Sequence, residues 1–362
     1  MSVTRDAIES QLKTDIDPYL ATDLVSAGAI KDIVTEGASV RVTVELGFPV
    51  ARYAAPLTER LTALLGGLDG VRDVTIDVGS AIVARAVQKG VKPLAQVRNT
   101  IAVASGKGGV GKSTTAVNLA LALQQEGARV GVLDADIYGP SVPRMLGCPG
   151  KPDSPDGKSI EPKISYEIQS ISIGNLVDEE TPMIWRGPMV TSALQQLLGD
   201  TNWQDIDYLV IDLPPGTGDI QLTLCQQIPV TGALIVTTPQ DIALLDARKA
   251  LRMFEKVEVP VLGIVENMST HICSNCGHEE HIFGAGGGSQ MARQYGVELL
   301  GSLPLDIRIR EGVDTGKPTV AFDADGSVAA AYREIARRAA AQIMMKNRDF
   351  SASFPRIVVE NA

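Results

Sequence analysis

Residues 106–113 read GKGGVGKS, which fits the phosphate-loop spacing G-x-x-x-x-G-K-[ST]. Each residue type in it has a task toward a nucleotide. The glycines Gly106, Gly108, Gly109 and Gly111 let the backbone turn its N–H groups inward, and with Val110 and Thr114 they form a cradle for the phosphates of ATP. Lys112 is placed to reach the β- and γ-phosphates, and the Ser113 hydroxyl to ligate Mg2+. Lys107, directly after the first glycine, is a second cation that the spacing does not require. It is either a solvated surface lysine or a further positive charge for a phosphate. Acids end two later apolar runs: Asp134 and Asp136 in VLDADIYGPS, and Asp212 in YLVIDLPPGTGD. Acids there often only cap the turn that follows, and Asn267 in VENMS is a common turn former.

A second cluster lies downstream in HICSNCGHEEHIFG. It holds Cys273 and Cys276 in C-x-x-C spacing and all three histidines of the chain, His271, His278 and His281. Two thiolates so spaced can bind one metal or one cluster, and three chemistries fit. Zinc could take both cysteines and one or two histidines of the same chain. A redox dithiol normally sits at a helix N-terminus, whereas this pair sits in a glycine-rich loop. An iron–sulfur cluster usually needs four cysteines, which two chains related by a twofold axis would supply. Cys148 and Cys225 lie far away in unrelated contexts.

The elements that must position these residues are legible in the apolar pattern. From residue 100 onward, IAVAS, RVGVLDAD, YLVIDL, GALIVTT and VLGIVENM are nearly continuous apolar runs, as in strands buried on both faces of a parallel sheet. Helical segments alternate with them over 114–126, 218–227 and 241–256. The alternation predicts a doubly wound α/β fold with its ligand site at the carboxyl ends of the strands. The phosphate-loop residues fall between a strand and a helix, as the motif requires. Upstream the pattern changes. Val40, Val42, Val44 and Leu46 alternate with polar residues, and so do Val74, Ile76 and Val78, which predicts a small sheet with one wet face. Residues 1–82 therefore read as a small α/β domain, 83–98 as a linker, 99–343 as the main domain and 344–362 as a tail.

A length of 362 residues with 44% hydrophobic and 21% charged residues suits a folded globular protein. The net charge of −10 argues against generic nucleic-acid or anionic-membrane binding, which needs excess Lys and Arg. No apolar run is long enough to span a bilayer. The polar, acid-containing N-terminus does not look like a secretory signal. Four cysteines in so long a chain do not make a disulfide framework, so the expected compartment is the reducing cytoplasm.

KGGVGKST resembles the deviant Walker A motif of the MinD/ParA-like P-loop ATPases. In that family the extra lysine crosses a dimer interface to the partner's ATP, which is the role the resemblance implies for Lys107. It further implies that Asp136 orients the attacking water, that Asp212 is the Walker B acid holding Mg2+ through water, and that Asn267 reads adenine. Taken with MIWRGPM, DLPPGTGD, ENMS and the C-x-x-C pair, about residues 98–343 are similar to the Mrp/ApbC-type iron–sulfur carrier ATPases. The implied protein is a P-loop NTPase acting as a homodimer. It hydrolyses ATP, bridges one [4Fe–4S] cluster between the Cys273 and Cys276 pairs of two chains, and delivers it to apo iron–sulfur proteins alongside assembly factors. Neither nucleic acid nor membrane is expected as a partner. The N-terminal domain is similar to one found in iron–sulfur assembly factors. Its LGFPVARYAAP has no cysteine where such domains often carry one, so no cluster ligand transfers to residues 1–82. Two rivals remain: a ParA/MinD-like positioning ATPase, and an ATPase with a structural zinc site.

Overall fold

The structure is a computed structural model that describes residues 4–176 and 187–346. The stretch MIWRGPM begins outside the described residues, and so does most of the expected tail. The chain opens with α1 (Arg5–Leu12), capped by Thr4, whose hydroxyl accepts from the Ala7 amide. β1 (Ile30–Glu36), β2 (Ser39–Leu46), α2 (Ala54–Gly66) and β3 (Asp73–Ser80) follow. β2 is central, antiparallel to β1 and parallel to β3. Its Val40, Val42, Val44 and Leu46 are buried while the residues between them are not, so the sheet has the expected wet face. Leu57, Leu61 and Leu65 of α2, spaced one turn apart, cover the apolar face.

The main sheet comprises β4 (Val97–Ala104), β5 (Val130–Asp134), β6 (Lys163–Ser165), β7 (Ile168–Ser172), β8 (Ile206–Asp212), β9 (Gly232–Thr237) and β10 (Val261–Glu266). A short hairpin of β11 (His271–Ile272) and β12 (Glu279–Glu280) precedes its last strand, β13 (Leu299–Ser302). The order across the sheet is β13-β10-β9-β4-β8-β5-β7-β6, parallel throughout except for the antiparallel edge strand β6. The helices are α3 (Lys112–Gln125), α4 (Val142–Met145), α5 (Gly187–Gly199), α6 (Asp219–Gln227), α7 (Asp241–Lys256), α8 (Gly287–Tyr295), α9 (Ile307–Asp314), α10 (Thr319–Phe322) and α11 (Ser327–Met344). Both sheet faces are buried. Ile101 and Val103 of β4 join the core under α3 and α11, while Ala102 and Ala104 join the core under α5 and α6. Among the described residues no helix is long and apolar enough to cross a membrane.

The two sheets share one apolar core, which runs from Leu57 and Phe48 through Ala336 and Ala340 of α11 to Leu119 of α3. Polar contacts seal the junction. Arg337 pairs with the fully buried Glu126 carboxylate at 2.7 Å and lies over the rings of Tyr19 and Tyr53. The Arg52 and Ala51 amides also donate to Glu126. The expected linker is not a free tether. Gln88 is buried and donates to the carbonyls of Cys225 and Ile228 at 2.9 and 2.6 Å.

Candidate functional site

β4 ends at Ala104 and α3 begins at Lys112, so the phosphate loop joins the carboxyl end of a central strand to a helix N-terminus. Gly109 and Gly111 take φ of +82° and +83°, a left-handed backbone that suits glycine. Gly106 is glycine for a different reason: a Cβ there would lie 2.1 Å from the Asp246 carbonyl carbon in α7. Gly108 faces open space. Lys107 is half-buried on this loop, and its carbonyl accepts from the Ser105 hydroxyl.

Lys112 is 6% exposed and points into a cluster of three acids. Its Nζ donates to Asp212 Oδ1 at 2.7 Å, lies 3.4 Å from Asp136 Oδ2, and is 3.2 Å from the Ser113 hydroxyl. Burial alone would lower the ammonium's pKa, but Asp212 and then Asp136 outweigh it and hold it above the usual lysine value. Burial raises the Asp136 carboxyl against the pull of Lys112. The register of the sheet makes this cluster, because Asp134 and Asp212 are direct partners across β5 and β8.

Asp134 has a task that its place in the DAD triplet does not spell out. Its carboxylate accepts from the amides of Asp136, Ser141 and Val142 and from the Ser172 hydroxyl, at 2.9–3.2 Å. It thereby holds the loop that presents Asp136. Complete burial, then the charge of Asp212, pushes this carboxyl up to about 7. Asp212 Oδ2 is buried with no hydrogen-bond partner among the described residues. An orphaned carboxylate oxygen near a serine hydroxyl is a hard-oxygen donor set that fits Mg2+. Lys112 stands between these two groups. Asn267, just past β10, donates from Nδ2 to the Val110 carbonyl at 2.8 Å. It therefore braces the phosphate loop.

The cysteine pair sits in the turn of the β11–β12 hairpin. The Cys273 amide donates to the His278 carbonyl, and the Gly277 amide to the Cys273 carbonyl. Cys276 is exposed and Cys273 partly so. Backbone amides of Cys276 and Asn275, followed by the Cys276 thiol, hold the Cys273 thiol below its ordinary pKa. The histidines do not converge on the sulfurs. Nδ1 of His271 donates to the Leu305 carbonyl, Nδ1 of His281 donates to the Ser269 carbonyl, and His278 faces Glu280 at 3.6 Å. Among the described residues no three of His, Cys, Asp or Glu are grouped to hold a metal ion. Cys148 and Cys225 are buried elsewhere, and burial pushes the Cys225 thiol up to about 12.

A family model described as NUBPL iron-transfer P-loop NTPase matches residues 96–340, and one described as iron-sulfur cluster assembly protein matches residues 5–78. The chain belongs to the NUBPL-type iron-transfer P-loop NTPase family. Relatives of this NTPase include an iron-sulfur cluster carrier protein of Pseudomonas fragi, 57% identical over 76% of this chain and 97% of that one. The iron-sulfur cluster carrier protein of Escherichia coli K12 is 55% identical over 83% of this chain and 82% of its own. The iron-sulfur cluster transfer protein NUBPL of Mus musculus is 51% identical over 68% of this chain and 77% of its own. Among solved structures, a nucleotide-binding protein from Archaeoglobus fulgidus in complex with ADP is 37% identical. It has a TM-score of 0.55 over 64% of this chain and 90% of that one. The MinD cell division ATPase of Pyrococcus furiosus, 23% identical with a TM-score of 0.50 over 66% of this chain and 97% of its own, shares the fold. The expected P-loop fold and the resemblance to cluster carriers both hold for this NTPase.

Proposed function

We propose that this protein is a homodimeric, ATP-hydrolysing carrier that bridges one [4Fe–4S] cluster between two chains and passes it to apo-proteins, with assembly factors as further partners. The observation that carries the reading is the incomplete ligand set at the hairpin. Two accessible thiols stand together with no third ligand from the described residues of the same chain. Two such pairs facing across a twofold axis make the four-cysteine set a cluster needs. The histidine rings engaged by backbone carbonyls weigh against the single-chain zinc site. The acidic balance of the chain weighs against a DNA-positioning ATPase and against nucleic-acid or membrane partners. A reducing cytoplasm suits four unpaired cysteines.

In this reading the backbone of Gly106 through Thr114 cradles ATP, and Lys112 leaves its acids for the β- and γ-phosphates. Ser113 and Asp212 hold Mg2+, which supplies charge neutralisation at the phosphates. Asp136, on the loop clamped by Asp134, orients the attacking water. Lys107 reaches the partner's nucleotide. Asn267 contacts adenine, for which its Oδ1 is the atom to use. The test is anaerobic reconstitution with iron and sulfide. About four iron atoms per dimer are expected. Cys273→Ala or Cys276→Ala should abolish loading, and His278→Ala should leave it intact. One tightly held zinc per chain, with no iron after reconstitution, overturns the carrier reading.

A further inference from the structure

The phosphate loop and the cysteine hairpin are joined by one short segment whose two ends are both pinned. At one end Asn267 donates to the Val110 carbonyl at 2.8 Å and is buried. The fit is close: a Cβ on Gly111 would lie 2.2 Å from Asn267 Nδ2. The Asn267 amide is tied to the Thr237 carbonyl at 2.7 Å, and Met268 follows with φ of +56°, a left-handed turn in a non-glycine residue. The Ser269 amide and hydroxyl both donate to the Leu303 carbonyl, at 2.9 and 3.0 Å. At the other end Nδ1 of His281 donates to the Ser269 carbonyl at 2.9 Å and closes the base of the hairpin that carries Cys273 and Cys276. Residues 269–281 thus form a closed loop whose foot rests on the segment that grips the phosphate loop.

We infer that Asn267 and His281 are positioning residues that couple nucleotide occupancy at the phosphate loop to the geometry of the cysteine pair. The inference rests on the proposed reading of those two sites. The physical warrant is that Val110 and Gly111 belong to the loop whose amides turn to a phosphate, while Lys112 next to them must leave Asp212 at 2.7 Å to reach it. Any shift of Val110 is passed to Asn267 through a short, buried hydrogen bond. It passes to the hairpin through a backbone held at Thr237 and Leu303. A coupling of this kind is reciprocal, so a group bound at the cysteines alters nucleotide affinity by the same factor.

The test uses the full apo-protein and needs no cluster. Iodoacetamide alkylation of Cys273 and Cys276 is followed by peptide mass spectrometry, with and without saturating Mg2+ and AMPPNP. The protein concentration is one at which light scattering gives the same oligomeric state in both. Buried Cys148 and Cys225 serve as unreactive controls. In the wild type the rate should change by about fivefold or more, the lower end of typical allosteric coupling. His281→Ala should bind the nucleotide with unchanged affinity and lose the dependence. Asn267→Ala, assayed at its own saturating nucleotide, should lose it too. A wild type that binds AMPPNP with no rate change, or a His281→Ala variant that keeps the full change, overturns the inference. A wild type that binds no nucleotide sinks the nucleotide-site reading itself, and with it this inference.

Discussion

Lys112 lies 2.7 Å from Asp212 and 3.4 Å from Asp136, almost out of contact with water. An ammonium removed from solvent is tolerable only with such partners, and the acids equally need the ammonium. A bound triphosphate would therefore compete for a cation already in use, and Mg2+, held by Ser113 and Asp212 in the proposed reading, would supply the charge that the acids lose. The same logic of charge governs Cys273, where backbone N–H groups, more than the nearby His271, favour the thiolate. A thiol whose folded pKa is depressed is ionised above that value and protonated as pH falls through it. Alkylation of Cys273 in the apo-protein should accordingly reach half its plateau rate at a pH below that of free cysteine, read as rate against pH. A half-point at or above the free-cysteine value counts against the assignment of Cys273 as the activated thiol. Cys225, whose pKa burial raises to about 12, should stay unmodified until the protein unfolds.

At the scale of elements, the contact between the phosphate loop and α7 fixes which glycines can change. A methyl on Gly106 would meet the Asp246 backbone at 2.1 Å, and backbone cannot swing aside as a flexible side chain would. Gly106→Ala should lower stability by about 1–3 kcal/mol by overpacking and weaken nucleotide binding. Gly108→Ala should leave the melting temperature unchanged, since nothing lies within 4 Å of its Cβ position. Equal melting temperatures for the two variants would show that α7 does not brace the loop. The phosphate loop itself was legible in the sequence because all its parts are local: a strand, a fixed glycine spacing and a helix start. The continuous apolar strands were legible because burial on both faces leaves few polar positions. What the sequence did not disclose depends on register or on packing between distant segments. The Asp134–Asp212 pairing arises from strand order, and the Asn267–Val110 contact joins residues far apart in the chain. The docked linker and the junction of Arg337 with Glu126 have the same origin, since neither side chain carries a local signature of its partner.

At the scale of the whole molecule, the three-stranded domain is fastened to the helix that begins at the phosphate loop. Glu126, at the C-cap of α3, receives Arg337 of α11 and the Arg52 amide of the N-terminal domain. That face of the NTPase is covered, so in the proposed homodimer the carboxyl edge of the main sheet, with Lys107 and the cysteine hairpin, would face the second copy. The proposed twofold arrangement makes a sharp demand on Lys107. If it serves the partner's nucleotide, a chain with Lys107→Ala has a complete site except for a lysine that its partner can supply. A chain with Asp136→Asn has a dead site but can still supply that lysine. Each homodimer is then inactive, while every mixed dimer holds one complete site: its own Asp136 and the partner's Lys107. Equal mixing with free exchange puts half the dimers in the mixed state, so about one quarter of wild-type ATP turnover should return. If Lys107 serves its own chain's nucleotide, no site in any dimer is complete and mixing restores nothing. The measurement is steady-state phosphate release from the two variants alone and combined. Failure of the mixture to exceed the separate variants, once exchange of subunits has been verified, removes the trans role from Lys107.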